Sequence, residues 1–115
     1  MTKPRTSPHR ELYGLIGKVP DASKILKEWN AVFRERGMDA SLDVYPTTEK
    51  NLPERLSEMF HFDRRGYIVG KDLAKAIIPL LDTVEPSARR RGVQFVLNKG
   101  GILHGKFLLK RDLLE

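Results

Sequence analysis

The chain has 115 residues, a mass of 13.2 kDa, no cysteine, a formal net charge of +6 and a pI near 9.8. That length allows one domain with one core, leaves no room for a complete nucleotide-binding half beside it, and the absence of cysteine excludes a disulfide framework and thiolate chemistry. Hydrophobic residues at 40% and charged residues at 31% describe a folded protein, and the basic excess favours anionic company: a carboxylate ligand, an acidic protein or nucleic acid.

Residues 1–11 carry Pro4 and Pro8 without periodicity and read as a flexible basic tail. No apolar run follows its basic residues, so it does not read as a signal peptide, and the expected address is cytoplasmic. The longest apolar runs, Ala76 to Leu81 and Val93 to Leu97, fall well short of the roughly 20 residues that cross a bilayer, so no membrane association is expected.

Leu12 to Ile16 is short and apolar enough for a buried strand of a parallel sheet. After a loop at Gly17, the residues Ile25, Leu26, Trp29, Val32 and Phe33 recur on one helical face, with Asp21 or Ser23 as the cap and Gly37 as the stop. The spacing places Trp29 in the core. Ala40 to Tyr45 alternates Leu42 and Val44 against polar neighbours, predicting a second strand that ends at Pro46.

Asn51 and Glu54 form a capping-box-like start to a second helix with the stripe Leu52, Leu56, Met59 and Phe60. Arg65 to Val69 is a third strand closed by Gly70. Asp72 then stands where it could cap a third helix of inner face Leu73, Ala76, Ile77 and Leu80, kinked at Pro79. Glu85 to Arg91 suits a brief helical turn begun by Pro86. Val93, Phe95 and Leu97 alternate into Asn98-Lys99-Gly100-Gly101, and Ile102 to Leu109 extends again, which predicts a β-hairpin with a loop longer than the tightest type. The last residues, 110–115, read as a tail or short helix.

These elements sum to an α/β fold: a three-layer αβα arrangement about a mixed, mostly parallel sheet of about six strands, ending in a β-hairpin. Ligands of such folds lie at the carboxyl ends of the strands, where Lys18, Lys71, Asp72 and Gln94 are expected to converge. Arg89, Arg90 and Arg91, with Lys3, Arg5 and Arg10, make a basic patch. It lacks the interleaved aromatics of single-strand binders, so nucleic acid is the lesser expectation. The histidines His9, His61 and His104 lack metal-ligand spacing, and no metal site is expected even for His61 with Asp63.

Five segments, YGLIGK (Tyr13 to Lys18), Asn30-Ala31-Val32-Phe33, PLLD (Pro79 to Asp82), EPSA (Glu85 to Ala88) and NKGGILHG (Asn98 to Gly105), resemble in order and spacing the amino-terminal, substrate-binding domain of the shikimate and quinate dehydrogenases. The likeness spans residues 12–109. It implies a six-stranded mixed sheet, a role in aromatic amino acid biosynthesis, and an NADP-binding domain following. No G-x-G-x-x-G occurs, since Gly100, Gly101 and Gly105 have neither the spacing nor a strand-to-helix context, and no cofactor is expected on this chain.

Carried over by position, the family's Ser-x-Ser carboxylate clamp falls on Ser23 and Ile25, and the Gly-His before it on Asp21-Ala22, where Asp21 would repel an anion unless turned away. The catalytic lysine falls on Ala74, and the Asn and Thr that touch ring hydroxyls fall on Ile68 and Gly70. Lys71 could reach inward, whereas Lys75, about 100° round a helix from the lysine position, is a poor substitute. The family's Asn-Thr pair falls on Gln94-Phe95 and its catalytic aspartate on Leu109. Without that acid–base pair no dehydrogenase activity is expected from this polypeptide.

Three readings follow. The first is a non-catalytic substrate-binding-type domain that takes a small hydroxy-carboxylate at a vestigial pocket of Lys18, Ser23, Lys71, Asp72 and Gln94, or else a protein partner or second copy. That partner would use the surface that meets the nucleotide domain in the family, helped by Leu108, Leu109, Leu113 and Leu114. The second is a substrate-binding fragment or subunit of a dehydrogenase, and the third a basic nucleic-acid-associated module.

Overall fold

The computed structural model describes residues 11–61 and 64–107, the side chains of Phe60 and His61 excepted. The expected tails and Asp63, Leu108, Leu109, Leu113 and Leu114 lie outside that range. Chain order runs β1 (Glu11–Ile16), α1 (Ala22–Glu35), β2 (Ala40–Tyr45), α2 (Leu52–His61), β3 (Arg64–Val69), a 3-10 turn (Ile78–Leu80), β4 (Thr83–Val84), α3 (Pro86–Arg91), β5 (Phe95–Lys99) and β6 (Ile102–Lys106). The strands form one six-stranded sheet in the order β2-β1-β3-β5-β6-β4. Pairings β1 with β2, β1 with β3 and β4 with β6 are parallel, and β3 with β5 and β5 with β6 antiparallel. The α/β reading of the sequence holds, with helices on both faces.

On one face α1 buries Trp29 and Phe33 against Leu42, Phe95, Tyr13 and Ile68. Their rings interlock: Trp29 meets Phe33 edge-on at 6.1 Å and Tyr13 stacks on Phe33 at 5.5 Å. Aromatic pairs of this kind contribute about 0.5–1.5 kcal/mol beyond their area burial. Burial, and then the charge of Glu11, pushes the Tyr13 hydroxyl up to about 12, so it stays protonated and donates to Glu11 Oε1 at 3.1 Å. On the other face α2, α3 and the segment before β4 cover a second core that includes Ile16, Leu56, Met59, Tyr67, Leu73, Ile77, Ala88, Val93 and Val96.

Several local expectations need correction. Neither Asp21 nor Ser23 caps α1 by its side chain; Asp21 holds the cap position with φ 59°, in the left-handed region. The far end does stop at Gly37, where Gly37 N–H donates to Arg34 C=O and Met38 N–H to Phe33 C=O, the paired bonds of a Schellman turn. Asn51 Oδ1 accepts from Thr48 N–H at 2.7 Å, upstream of α2, and so forms no capping box. Val44 faces out at 46% exposure because β2 is an edge strand, and Leu80 is exposed as well.

The third expected helix is a run of turns. Pro79 has no N–H to return to Lys75, and that carbonyl accepts instead from Ile78 N–H, one residue early, at 3.2 Å. The hairpin is tighter than expected: Lys99 pairs with Ile102, so Gly100 and Gly101 alone make the turn, at φ 58° and 91°. Buried Asn98 locks it, accepting from Gly101 N–H at 2.9 Å and donating to Met59 and Arg64 carbonyls at 3.3 and 3.0 Å.

Glu58 joins α2 to β3. Its Oε1 receives Arg64 at 2.9 Å and Arg55 at 2.7 Å, and the Arg64 hydrogen bond first, then that of Arg55, holds its carboxyl below the ordinary carboxylate value of 4.5. A pKa lower in the folded than in the unfolded chain stabilises the fold above the unfolded value and loses that stabilisation as pH falls through the folded one. Denaturant midpoints of the wild-type chain and E58Q across a pH series should therefore differ most near neutrality. The gap should close in acid below pH 4.5; a pH-independent gap would remove Glu58 from the acid response.

Candidate functional site

Strands β1 and β3 are parallel neighbours, so their carboxyl ends emerge at the same edge of the sheet, and the antiparallel β5 begins there. Loops leaving such ends diverge and leave a crevice. A cavity of about 630 Å³ lies there, within the range of roughly 300–1,000 Å³ usual for small-molecule sites. Residues from the loop after β1, the first turn of α1, β3 and its following turns, and the stretch from Arg91 to Gln94 supply its walls, with Phe107 closing one side.

Backbone contacts fix the mouth. Gly70 N–H donates to Ile16 C=O at 2.8 Å, and Lys18 N–H donates to Asp72 Oδ1 at 2.8 Å. A Cβ at Gly70 would stand 2.6 Å from Lys18 O and 2.7 Å from Lys18 N, both unyielding backbone atoms, so no side chain fits there. Across the cavity, Val69 N–H donates to Gln94 C=O at 3.0 Å, and Val93 N–H to Ala74 C=O at 2.9 Å.

The structure brings Lys18, Lys71 and Gln94 together on the cavity wall. Ser23 does not join them: it is the second residue of α1, exposed on the outer side beside Lys27, Asn30 and Arg34. Asp72 is exposed and outside the lining, its Oδ1 accepting from Lys18 N–H at the mouth rather than capping a helix. Asp21 is exposed and likewise outside the lining. Of the basic patch, Arg89 and Arg90 point to solvent, whereas Arg91 lines the cavity with its guanidinium carbon 5.4 Å from the Phe107 ring centre.

Lys75 stands in a run of turns rather than a helix and lines the cavity wall, but its Nζ donates to the Arg90 carbonyl at 2.7 Å, at the end of α3. Ile25 and Ala74, which the motif comparison puts at the family's clamp and lysine positions, are apolar wall residues here, and so is Phe107, for which charge gives no signal. Trp29 is fully buried in the core and not at the site. Among the described residues no group of three His, Cys, Asp or Glu could hold a metal, and no helix is long and apolar enough to cross a membrane.

A mixed sheet with helices on both faces and a crevice at its strand ends defines an α/β domain, and it is at such strand ends that α/β folds hold ligands. Among known proteins, the chain is 34% identical over 102 residues to the NADP-dependent shikimate dehydrogenase of Alkaliphilus metalliredigens, an alignment covering 88% of this chain and 36% of that enzyme. The shikimate 5-dehydrogenase of Listeria monocytogenes, solved with shikimate and NAD, superposes with a TM-score of 0.80 at 27% identity, over 90% of this chain and 36% of that one. The Aquifex aeolicus shikimate dehydrogenase gives 0.78 at 27% identity, over 86% and 38%. No family model matches the chain. It is a relative of the shikimate dehydrogenases, built on the fold of their amino-terminal domain, and it spans a little over a third of their length.

The close approach at the mouth is testable. Gly70→Ala should destabilise the fold by about 1–3 kcal/mol, the usual cost of forcing an extra group into a packed site, read as a lower midpoint in urea unfolding. An unchanged midpoint would mean that the two loops part freely.

Proposed function

We propose that this domain binds a small organic carboxylate in the strand-end cavity and does not by itself oxidise it. The observation that carries the reading is the lining: Lys18, Lys71 and Arg91 stand on a cavity with no carboxylate among its wall residues, beside Lys75, whose Nζ is held by the Arg90 carbonyl. Such a set of donors favours an anion and outnumbers the one carboxylate at the mouth, Asp72, which is hydrogen-bonded to Lys18 N–H. Oxidising a hydroxyl needs a positioned group to take its proton. Ala74, where the resemblance puts the family's lysine, presents a methyl group to the cavity, and Lys75 is tied to the end of α3.

The share of the relatives that the chain spans favours a second reading, the substrate-binding part of a dehydrogenase whose nucleotide domain is supplied separately. One assay separates the two. NADP-dependent oxidation of shikimate or quinate should stay at background with the purified chain alone, and also after adding the isolated nucleotide-binding half of a shikimate dehydrogenase. Turnover by the chain alone would overturn the non-catalytic reading, and turnover only with the added half would establish the second.

A protein partner on the surface that meets the nucleotide domain in the family remains a proposal resting on that resemblance. Nucleic acid is less favoured, because Arg91, though exposed, lines the cavity beside the Phe107 ring, and no aromatics interleave the run.

A further inference from the structure

The hydrogen-bonding inventory of the cavity narrows the ligand further, on the reading that the cavity binds a carboxylate at all. Lysine and arginine side chains only donate. The lining holds Lys18, Lys71, Lys75 and Arg91, and Gln94 is its one side chain with an acceptor; the rest is Val19, Pro20 and the apolar wall. Several backbone carbonyls of the lining are already engaged. Those of Gln94 and Ala74 already receive Val69 and Val93 N–H groups at 3.0 and 2.9 Å, Gly70 receives Leu73 at 3.0 Å, and Lys71 receives Ala74 at 3.4 Å.

A carboxylate brings acceptors only and suits this excess of donors. A ring hydroxyl brings a donor as well, and away from Gln94 would set it against Ile25, Ile68, Val69, Ala74 or Val93. A buried hydroxyl without a partner costs affinity in full, whereas an apolar ring against the same surface gains by burial. A site that lacks the polar partners of a hydroxylated ligand therefore discriminates against it. Phe107 adds a flat aromatic surface next to the Arg91 charge.

We infer that the cavity selects a carboxylate on an apolar ring, alicyclic or aromatic, over a polyhydroxylated one. Ring hydroxyls are what this pocket is built to refuse. The position of Gly70 reinforces the point, since no hydroxyl-bearing side chain can be placed there without displacing Lys18 backbone.

Amide shifts of the full isotope-labelled chain, titrated separately with cyclohexanecarboxylate, benzoate, shikimate and inorganic phosphate, test this. The two apolar carboxylates should bind at least about tenfold more tightly than shikimate, with shifts at Lys18, Lys71 and Gln94, since one unpaired buried hydroxyl is worth about that factor. Arg91→Met should weaken them. Ile25→Ser, on the accessible first turn of α1, should narrow the gap by adding a hydroxyl partner for shikimate, and it keeps the test open if the Arg91 variant fails to fold. Shikimate binding as tightly as cyclohexanecarboxylate would overturn the selectivity while leaving carboxylate binding intact. Phosphate binding as well as either would show that charge alone is recognised and would also overturn it. No shifts with any probe at millimolar concentration would remove the carboxylate-binding reading itself.

Discussion

The cavity depends on one steric constraint, the contact of the loop after β1 with the turn after β3. Parallel neighbours bring two carboxyl ends to one edge, and if both loops carried side chains at the crossing they would be forced apart. Gly70 lets the backbones touch, and the Ile16 and Asp72 hydrogen bonds then register them. Each bond is worth about 1 kcal/mol net, less than the cost of a misplaced methyl group, so shape decides more here than hydrogen bonding does. The residues that line the cavity are consequences of that crossing: Lys18 at it on one loop, Lys71 just after it on the other.

Charge is divided between two tasks. Arg89, Arg90 and Arg91 fill the last turn of α3, where cations complement the partial negative charge of exposed carbonyls, and Lys75 reaches the same carbonyls from outside. Only Arg91 and the loop lysines remain to face a ligand. A basic run in the sequence is therefore partly helix termination, and the formal charge overstates what is free for binding.

Much of the frame was legible because burial is written as periodicity. Trp29 and Phe33 recur at helical spacing, and Leu42 alternates with polar neighbours. The third helix failed for a reason of its own: helix and successive turns bury the same pattern, so Leu73 and Ile77 are inside either way, and the missing N–H of Pro79 helps to distinguish the two. β4, with two residues, is too short to carry any period. The site was half legible. Lys18, Lys71 and Gln94 follow from strand ends, whereas Lys75 and Arg91 reach the cavity only because α3 packs beside the turns, a tertiary fact. Ser23 was placed by counting along a motif, and a helix that begins at Ala22 rotates it outward.

The edge of the sheet offers a last consequence. Leu42 in β2 has its N–H bound by Asn30 Oδ1 at 2.9 Å and its C=O by Asn30 Nδ2 at 3.1 Å. A side-chain amide from α1 thus imitates the next strand for one residue, satisfying the donor and acceptor that an open edge would offer to another chain. The strand is closed at its middle by its own helix, so growth of the sheet across β2 into a fibre or a strand-paired dimer would first have to dislodge a residue anchored in the helix that carries Trp29.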